Sequence, residues 1–467
     1  MADAGQVGGD ADTIRLARDS GGEVVILITV ALTTMLAPLN STMIGVALPD
    51  IMGEFATDLA AGSWLVIAYL VTMASLQPVG GKLGDRFGRR PLILIGLLYF
   101  AVASLGAATA ESLTQLLVFR VQQGIAGAIA LPNGMALVRE VVPPERRASR
   151  IGLLGSAIVL AAAAGPPLGG VLIRLAGWRA VFSMNLFLIV PALILAWRVI
   201  PTRAGEPSRR SFDVVGVVQL IVILAGGAAL LTGGTGKLPP SATWGGAVLL
   251  VLLAVYFLYR EAGHEDPVFQ PRFFLRRTFA SGCAGVACSN LSMYTTFLTI
   301  PLLLAGLPGW SSTQVGLVLS ALWAPTVVCA PLGGRLADRW GRRWPTTLGM
   351  LLLTVGMAYL VRFEPGTEAL PVMLTGLIVA GIGLGLSQAG LQTAVLESVT
   401  RERAGSASGI YSTCRYAGSI AGSSALPMLY GVGDEIAGFT RVLTVVVITA
   451  FAATLATLGI QHRPSPH

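Results

Sequence analysis

The sequence predicts an all-α integral membrane protein of fourteen spans, built as two related six-helix bundles with two extra transmembrane helices between them. Three observations carry this. The 467-residue chain is 54% hydrophobic and only 12% charged, with a mean hydropathy of +0.73, roughly half the ~25% charged share of a soluble domain. Its apolar residues come in long unbroken runs. Two basic segments, GKLGDRFGRR (residues 81–90) and GRLADRWGRR (residues 334–343), repeat one motif at corresponding places in the two halves.

A membrane span needs ~20 apolar residues as helix, or alternating ~10-residue segments in a closed barrel. The long runs select helix. The first six cover roughly 24–48, 61–80, 91–110, 113–138, 151–175 and 180–197. Two follow at 214–232 and 244–259, and six more at 279–304, 312–332, 344–361, 370–396, 405–430 and 442–460. The expected domain plan is a tail (1–23), a first bundle (24–198), a linker carrying the extra pair (199–278), a second bundle (279–460) and a short tail (461–467).

Charge sets the orientation. With the N-terminus inside, the outward loops hold only Arg174, Arg179, Lys237, Arg362 and Arg441 of the 32 Lys and Arg residues, and Arg120 and Arg415 lie within spans. The others fall on one side, which the positive-inside rule makes cytoplasmic. An odd number of spans would destroy that asymmetry. Residues 1–23 are polar and lack the apolar core of a cleavable signal, so both termini are expected in the cytoplasm, on a multi-pass protein of the cell inner (plasma) membrane. The net charge of +8 is spread over short loops, so no nucleic-acid partner is expected. Cys283, Cys288, Cys329 and Cys414 all sit in apolar runs without CxxC spacing, which points to neither a metal site nor a disulfide. No cofactor is implied.

The repeat has a second echo, ERRASRIGLLGS (145–156) against RERAGSASGIYS (401–412), before the fifth span of each half. Parallel six-helix repeats are an architecture of transporters, with a substrate site between the halves near the bilayer midplane.

These residues resemble the major facilitator superfamily, and specifically its fourteen-helix drug:proton antiporter family, over nearly the whole chain. The two basic loops are similar to motif A and its second copy. Residues 113–128, with Arg120, Gly124 and Gly127, resemble motif B. Gly165-Pro166-Pro167-Leu168-Gly169-Gly170 resembles motif C, associated in the superfamily with exporters. LNSTMIGVALPDI (39–51), GWRAVFSMN (177–185) and DPVFQPRFFLRRTFA (266–280) favour the fourteen-helix branch. One position departs: where the first-helix motif usually carries an aspartate, this chain has Asn40.

The resemblance implies the major facilitator fold and a secondary active multidrug or secondary-metabolite exporter, with protons as coupling ion and alternating access between the bundles. Under it, Asp85 and Asp338 serve a conformational latch that closes the cytoplasmic side in the outward-open state, Asp85 reaching toward the thirteenth helix and Asp338 toward the fifth. Gly81, Arg86, Gly88 and Arg89, with Gly334, Arg339, Gly341 and Arg342, build the two loops. Motif C supplies packing and hinge residues, Gly165, Pro166, Gly169 and Gly170, because small residues let helices approach and proline frees a carbonyl.

The residues themselves narrow the cargo. An arginine at membrane depth costs at least ~2.5–3.5 kcal/mol on insertion scales, so Arg120 and Arg415 should face a cavity or a partner. At helical spacing Arg120 shares a face with Gln123, and Arg415 with Tyr411. Asn40, Asn290, Tyr294, Trp323, Gln388 and Tyr411 are the remaining candidates for substrate contact. The carboxylates nearest the spans, Glu23, Asp50, Glu140, Asp213 and Glu397, stand at span ends, and the others read as tail or loop residues. A cation exporter wants an embedded acid. Its absence predicts a neutral or anionic amphipathic small molecule, and leaves open whether protons use Asp50, Asp85 or an acidic substrate. An uncoupled facilitator or importer of a small organic anion is the alternative. Spans without an HExxH motif, paired carboxylates or embedded histidine exclude an intramembrane enzyme, and a monomer is expected.

Overall fold

The computed structural model describes residues 20–200, 213–233, 239–264, 267–307, 309–363, 369–400, 403–430 and 435–461. Most of both tails, Lys237, Arg401 and Glu402 lie outside the described residues. The first half contains α1 (Ser20–Glu54), α2 (Leu59–Phe87), α3 (Arg89–Ala108), α4 (Leu113–Val141) and α5 (Pro144–Ala176). Its sixth crossing is split into α6 (Arg179–Ser183) and α7 (Asn185–Val199). The central pair is α8 (Val214–Gly233) and α9 (Pro240–Gly263), followed by a 3-10 turn at Pro271–Leu275. The second half is α10 (Arg277–Gly306), α11 (Ser312–Trp340), α12 (Arg343–Leu360), α13 (Ala369–Glu397), α14 (Ala404–Tyr430) and α15 (Glu435–Thr457).

Taking α6 and α7 as one crossing, these helices make the expected fourteen. Among the described residues eleven are long and apolar enough to span a membrane by composition alone. The three that are not, α4, α12 and α14, are packed among other helices, where polar faces meet protein instead of lipid. Helix α4 carries Arg120, Gln123 and Asn133, and α14 is rich in serine and glycine.

The two halves pack by one scheme. Helix α1 lies on α5, α2 on α4, and α3 on α4 and α7; correspondingly α10 lies on α14, α11 on α13, and α12 on α13 and α15. The bundles meet through α5 on α11, α2 on α14 and α1 on α10. Helix α8 touches both α2 and α14, so the central pair straps the seam from outside, with α9 packed on α8.

The seam is tight at the end remote from the basic loops. A methyl added at Gly170 would stand 2.4 Å from the Ser312 carbonyl oxygen, and one at Gly316 2.3 Å from that of Pro166. Backbone meets backbone there, and Thr313 Oγ1 donates to the Gly170 carbonyl at 3.2 Å. Toward the basic-loop end the same helices carry open positions: methyls at Gly152 and Gly155 of α5, or at Gly405 and Gly409 of α14, would meet nothing within 4 Å. The bundles therefore close at the far end and diverge toward the basic loops.

Several acids read as loop residues lie in helices instead, with Glu54, Asp85 and Asp338 in the last turns of α1, α2 and α11. Glu261, read as a loop residue, belongs to the last turn of α9 and is buried, because Arg260 and the Phe269 amide satisfy its carboxylate. Burial would push the neighbouring Asp213 carboxyl up, but Arg260, Glu261 and the Gly216 amide outweigh it and hold Asp213 well below the usual carboxylate range. The buried acids Glu23, Asp213 and Glu261 all lie at helix ends on the basic-loop side.

Candidate functional site

The basic loops are built alike. Gly88 and Gly341 stand between consecutive helices at φ of 89° and 82°, a left-handed backbone that only glycine takes without strain. Each turn aims an arginine back at its own bundle. Arg89 bonds Asp85, donates to Glu140 at 3.1 Å and to Asn133 at 3.0 Å, and reaches the Gly81 carbonyl. Arg342 bonds Asp338 and forks onto Glu397 at 2.8 and 3.2 Å. Glu397 and Asp338 outweigh burial and hold the Arg342 guanidinium above its ordinary value, with Glu397 the largest cause. Asp85 and Asp338 stand in the last turns of α2 and α11, are both more than half exposed, and pair across the adjoining glycine turn with Arg89 and Arg342. Gly334 is open to its surroundings; Arg86 stacks on Phe87, and Arg339 closes the last turn of α11.

At mid-depth, sequence-distant polar side chains converge in the first bundle. Arg120 is fully buried. Its Nε donates to the Leu65 carbonyl at 2.8 Å, one terminal nitrogen donates to Gln123 Oε1 at 2.9 Å, and the guanidinium lies 4.5 Å from the centre of the Tyr69 ring. The other terminal nitrogen, Nη2, has no acceptor among the described residues. Gln123 Oε1 also accepts from Asn40 at 3.3 Å, and its Nε2 donates to Ser104 at 2.9 Å. Asn185 donates to Asn40 at 3.4 Å and to Ser104 at 3.2 Å. No carboxylate takes part in these bonds, so the charge of Arg120 is solvated by amides and carbonyls alone.

The seam faces this network. Tyr294 of α10 shares a hydrogen bond with Ser41 of α1 at 3.0 Å, and Gln77 of α2 donates to Tyr416 of α14 at 3.3 Å. Arg415, half-buried, lies 5.0 Å from the centre of the Tyr416 ring. Tyr411 is buried one turn from Arg415, and its hydroxyl lacks a partner among the described residues, as do the Tyr69 hydroxyl and Trp323 Nε1. Asn290 is buried and spends its amide on the Val286 carbonyl of its own helix at 2.9 Å; Gln388 is half-buried on α13. In the motif C segment, Gly165 packs on Thr42, Gly169 on Met43, and Pro166 and Gly170 on α11.

Sequence reasoning left several participants unassigned. Glu140 and Glu397 complete the loop clusters, and the signal was available: each is an acid ending the fourth span of its half. Asn185 lies within the 177–185 motif but its direction does not follow from spacing. Tyr69, Ser104 and Tyr416 carried no signal beyond being polar residues in apolar runs.

Comparison with known proteins agrees with this architecture. The sequence model of the Major Facilitator Superfamily matches residues 30–281 and 282–467. An uncharacterised MFS-type transporter of Bacillus subtilis (strain 168), YvkA, is 30% identical over 94% of this chain and 96% of its own length. The tetracenomycin C resistance and export protein of Streptomyces glaucescens is 29% identical over 87% of this chain and 76% of its own. The multidrug resistance protein Stp of Mycobacterium tuberculosis (strain CDC 1551 / Oshkosh) is 30% identical over 86% and 75%. The crystal structure of a bacterial homologue of the human lysosomal transporter Spinster, in an inward-facing and unoccupied conformation, superposes with a TM-score of 0.68 at 17% identity, covering 96% of this chain and all of the other. With two like bundles, duplicated basic loops and a polar seam at mid-depth, the chain belongs to the major facilitator superfamily, a multi-pass membrane transporter with drug exporters among its relatives.

Proposed function

We propose that this transporter is a secondary active exporter of drugs or secondary metabolites that works by alternating access, taking neutral or anionic amphipathic small molecules from the cytoplasm. The basic loops then face the cytoplasm, as the positive-inside rule requires, and the open side of the seam is the loading side. The observation that carries the reading is the seam itself, closed backbone to backbone at the far end and lined at mid-depth by arginine, tyrosine and amide groups. Relatives named for export and multidrug resistance support the direction, and the motif C packing at Gly170 and Gly316 gives the hinge that direction needs. A neutral cargo needs a coupling ion to be driven outward, and proton antiport is the coupling the family resemblance supplies.

Everted membrane vesicles test it. On energisation they should accumulate a neutral or anionic amphiphile from a panel that also includes quaternary ammonium compounds. Robust transport of the quaternary ammonium compounds, with tight binding by the purified protein, would sink the cargo class. The second reading, an uncoupled facilitator or importer of a small organic anion, is favoured by the arginines without an acid. Vesicles that equilibrate such an anion but never concentrate it would establish that reading instead.

A further inference from the structure

The seam holds more positive charge than its surroundings balance. Arg120 is wholly buried and donates to a carbonyl and an amide oxygen, and among the described residues one of its terminal nitrogens has no acceptor. An arginine has donors and no acceptor and stays charged in a protein, so only an acceptor can fill that place. Across the seam, Arg415 of the other bundle lies over Tyr416, with no carboxylate paired to it among the described residues. Helix α2 meets both: its Tyr69 ring lies 4.5 Å from the Arg120 guanidinium, and its Gln77 donates to Tyr416, on which Arg415 lies. The Tyr69 hydroxyl is a further donor left unused. Buried charges in proteins are paired as a rule, because leaving one unpaired costs several kcal/mol. The neutral amide of Asn40 shares the Gln123 Oε1 acceptor with Arg120 and brings no counter-charge.

We infer that this seam is an anion site in which Arg120 and Arg415 together take the charged head of an organic anion, and that export of such a substrate runs on the membrane potential with no proton moved in exchange. This rests on the exporter reading for its direction. The substrate brings the counter-charge that the protein omits. The energetics follow from the sign of the charge. A bacterial membrane is negative inside, and one negative charge moving outward across about 100 mV is favoured by a factor of about fifty at equilibrium. An anion needs no embedded acid to leave against a gradient of that size, which accounts for the absence of one at mid-depth among the described residues. A cation would need an acid, and meets two arginines instead.

The test uses a pair of dyes with one xanthene skeleton and opposite charge, carboxyfluorescein and rhodamine 6G. By fluorescence polarisation, the purified full-length protein should bind carboxyfluorescein at least about tenfold more tightly than rhodamine 6G. Arg415→Gln should weaken that binding by about ten- to a hundredfold, the range of a charge-assisted hydrogen-bonded pair, and Arg415→Lys should restore most of the preference. In proteoliposomes, a potassium diffusion potential should drive carboxyfluorescein toward the positive side and reverse with it, while a pH gradient at zero potential should not. Preference for the cation, failure of both dyes to bind, or an unchanged affinity in Arg415→Gln would overturn the anion site. Carboxyfluorescein flux that follows the pH gradient and ignores potential would overturn the driving force. Preference for the cation would also count against the neutral or anionic cargo class, whereas the outward direction of transport stands or falls on accumulation of the wider panel in everted vesicles.

Discussion

Replacing Asn40 by aspartate changes one atom of the buried network and reverses its charge logic. Asn40 and Arg120 share the Gln123 Oε1 acceptor, at 3.3 and 2.9 Å, so the new carboxylate would lie roughly 6 Å or less from the guanidinium. At an effective dielectric of about 20, opposite unit charges at that separation attract by about 3 kcal/mol. Against this stand the loss of the Asn40 donor to Gln123, about 1 kcal/mol, and the cost of burying the carboxylate. The fold should therefore keep its melting temperature to within a few degrees. The ligand bears the main effect. An anionic head held by Arg120 would meet a like charge at similar range and should bind about 30- to 150-fold more weakly, equivalent to about 2–3 kcal/mol. A lipophilic cation should gain affinity by a comparable factor. Polarisation titrations with one anionic and one cationic dye, on protein matched for thermal stability, read both changes. Unchanged anion affinity together with no gain for the cation would refute the assignment of Asn40 and Arg120 to the cargo site.

Three further substitutions probe the scaffold. Gly316→Val forces a side chain into the space of the Pro166 carbonyl, 2.3 Å from where its first carbon would sit; the far end should no longer close, and spin labels at Leu175 and Leu370 should report a lengthened far-end distance. Glu397→Gln removes the fork that holds Arg342, a partly exposed pair worth about 1 kcal/mol at most, so it should shift the balance of the two transport states by no more than about fivefold, read with the same label pair. Arg260→Gln leaves Asp213 and Glu261 buried with no cation and should destabilise the protein by about 3–5 kcal/mol, seen as a lowered midpoint in thermal unfolding. Its pH profile carries a sign. The folded-state value of Asp213 is depressed, so its stabilisation is present at neutral pH and lost only as pH falls through the acid range; in Arg260→Gln burial acts without its main counterweight, so the carboxylate costs stability at neutral pH and lowering the pH should recover part of the loss.

Much of the architecture was legible because the bilayer imposes a length and a side. The span count, their near-boundaries and the paired loops follow from apolar run length and basic residue placement, and the turns at Gly88 and Gly341 follow from the repeat. Side-chain partners did not follow. Asn40 bonds a residue 83 positions away and receives a bond from one 145 positions away, and such meetings depend on how each helix is rotated about its axis. A hydrophobic stripe would fix that rotation in a soluble helix, but lipid and protein interior are equally apolar, so the stripe is faint. Glu261 was misplaced for a related reason. Its helix continues past the apolar run because the carboxylate finds Arg260 and a backbone amide at the helix end, a tertiary circumstance that composition does not announce.

The symmetry of the fold separates switching from recognition. The repeat carries one device twice at the basic-loop end, once in each bundle: Arg89 with Asp85 and Glu140, Arg342 with Asp338 and Glu397. The seam pairings α5 on α11 and α2 on α14 are likewise related by the repeat. A cargo without twofold symmetry gains nothing from duplicated contacts, and here the charged groups at mid-depth are single. Helix α13, the counterpart of α4, has no charged residue before Glu397, and α5, the counterpart of α14, has none between Arg150 and Arg174. Had Arg120 and Arg415 been scaffold arginines, anchoring each bundle to itself, the duplicated halves would be expected to carry them in pairs. Their occurrence once each, one in each bundle, is the pattern that the proposed anion site requires.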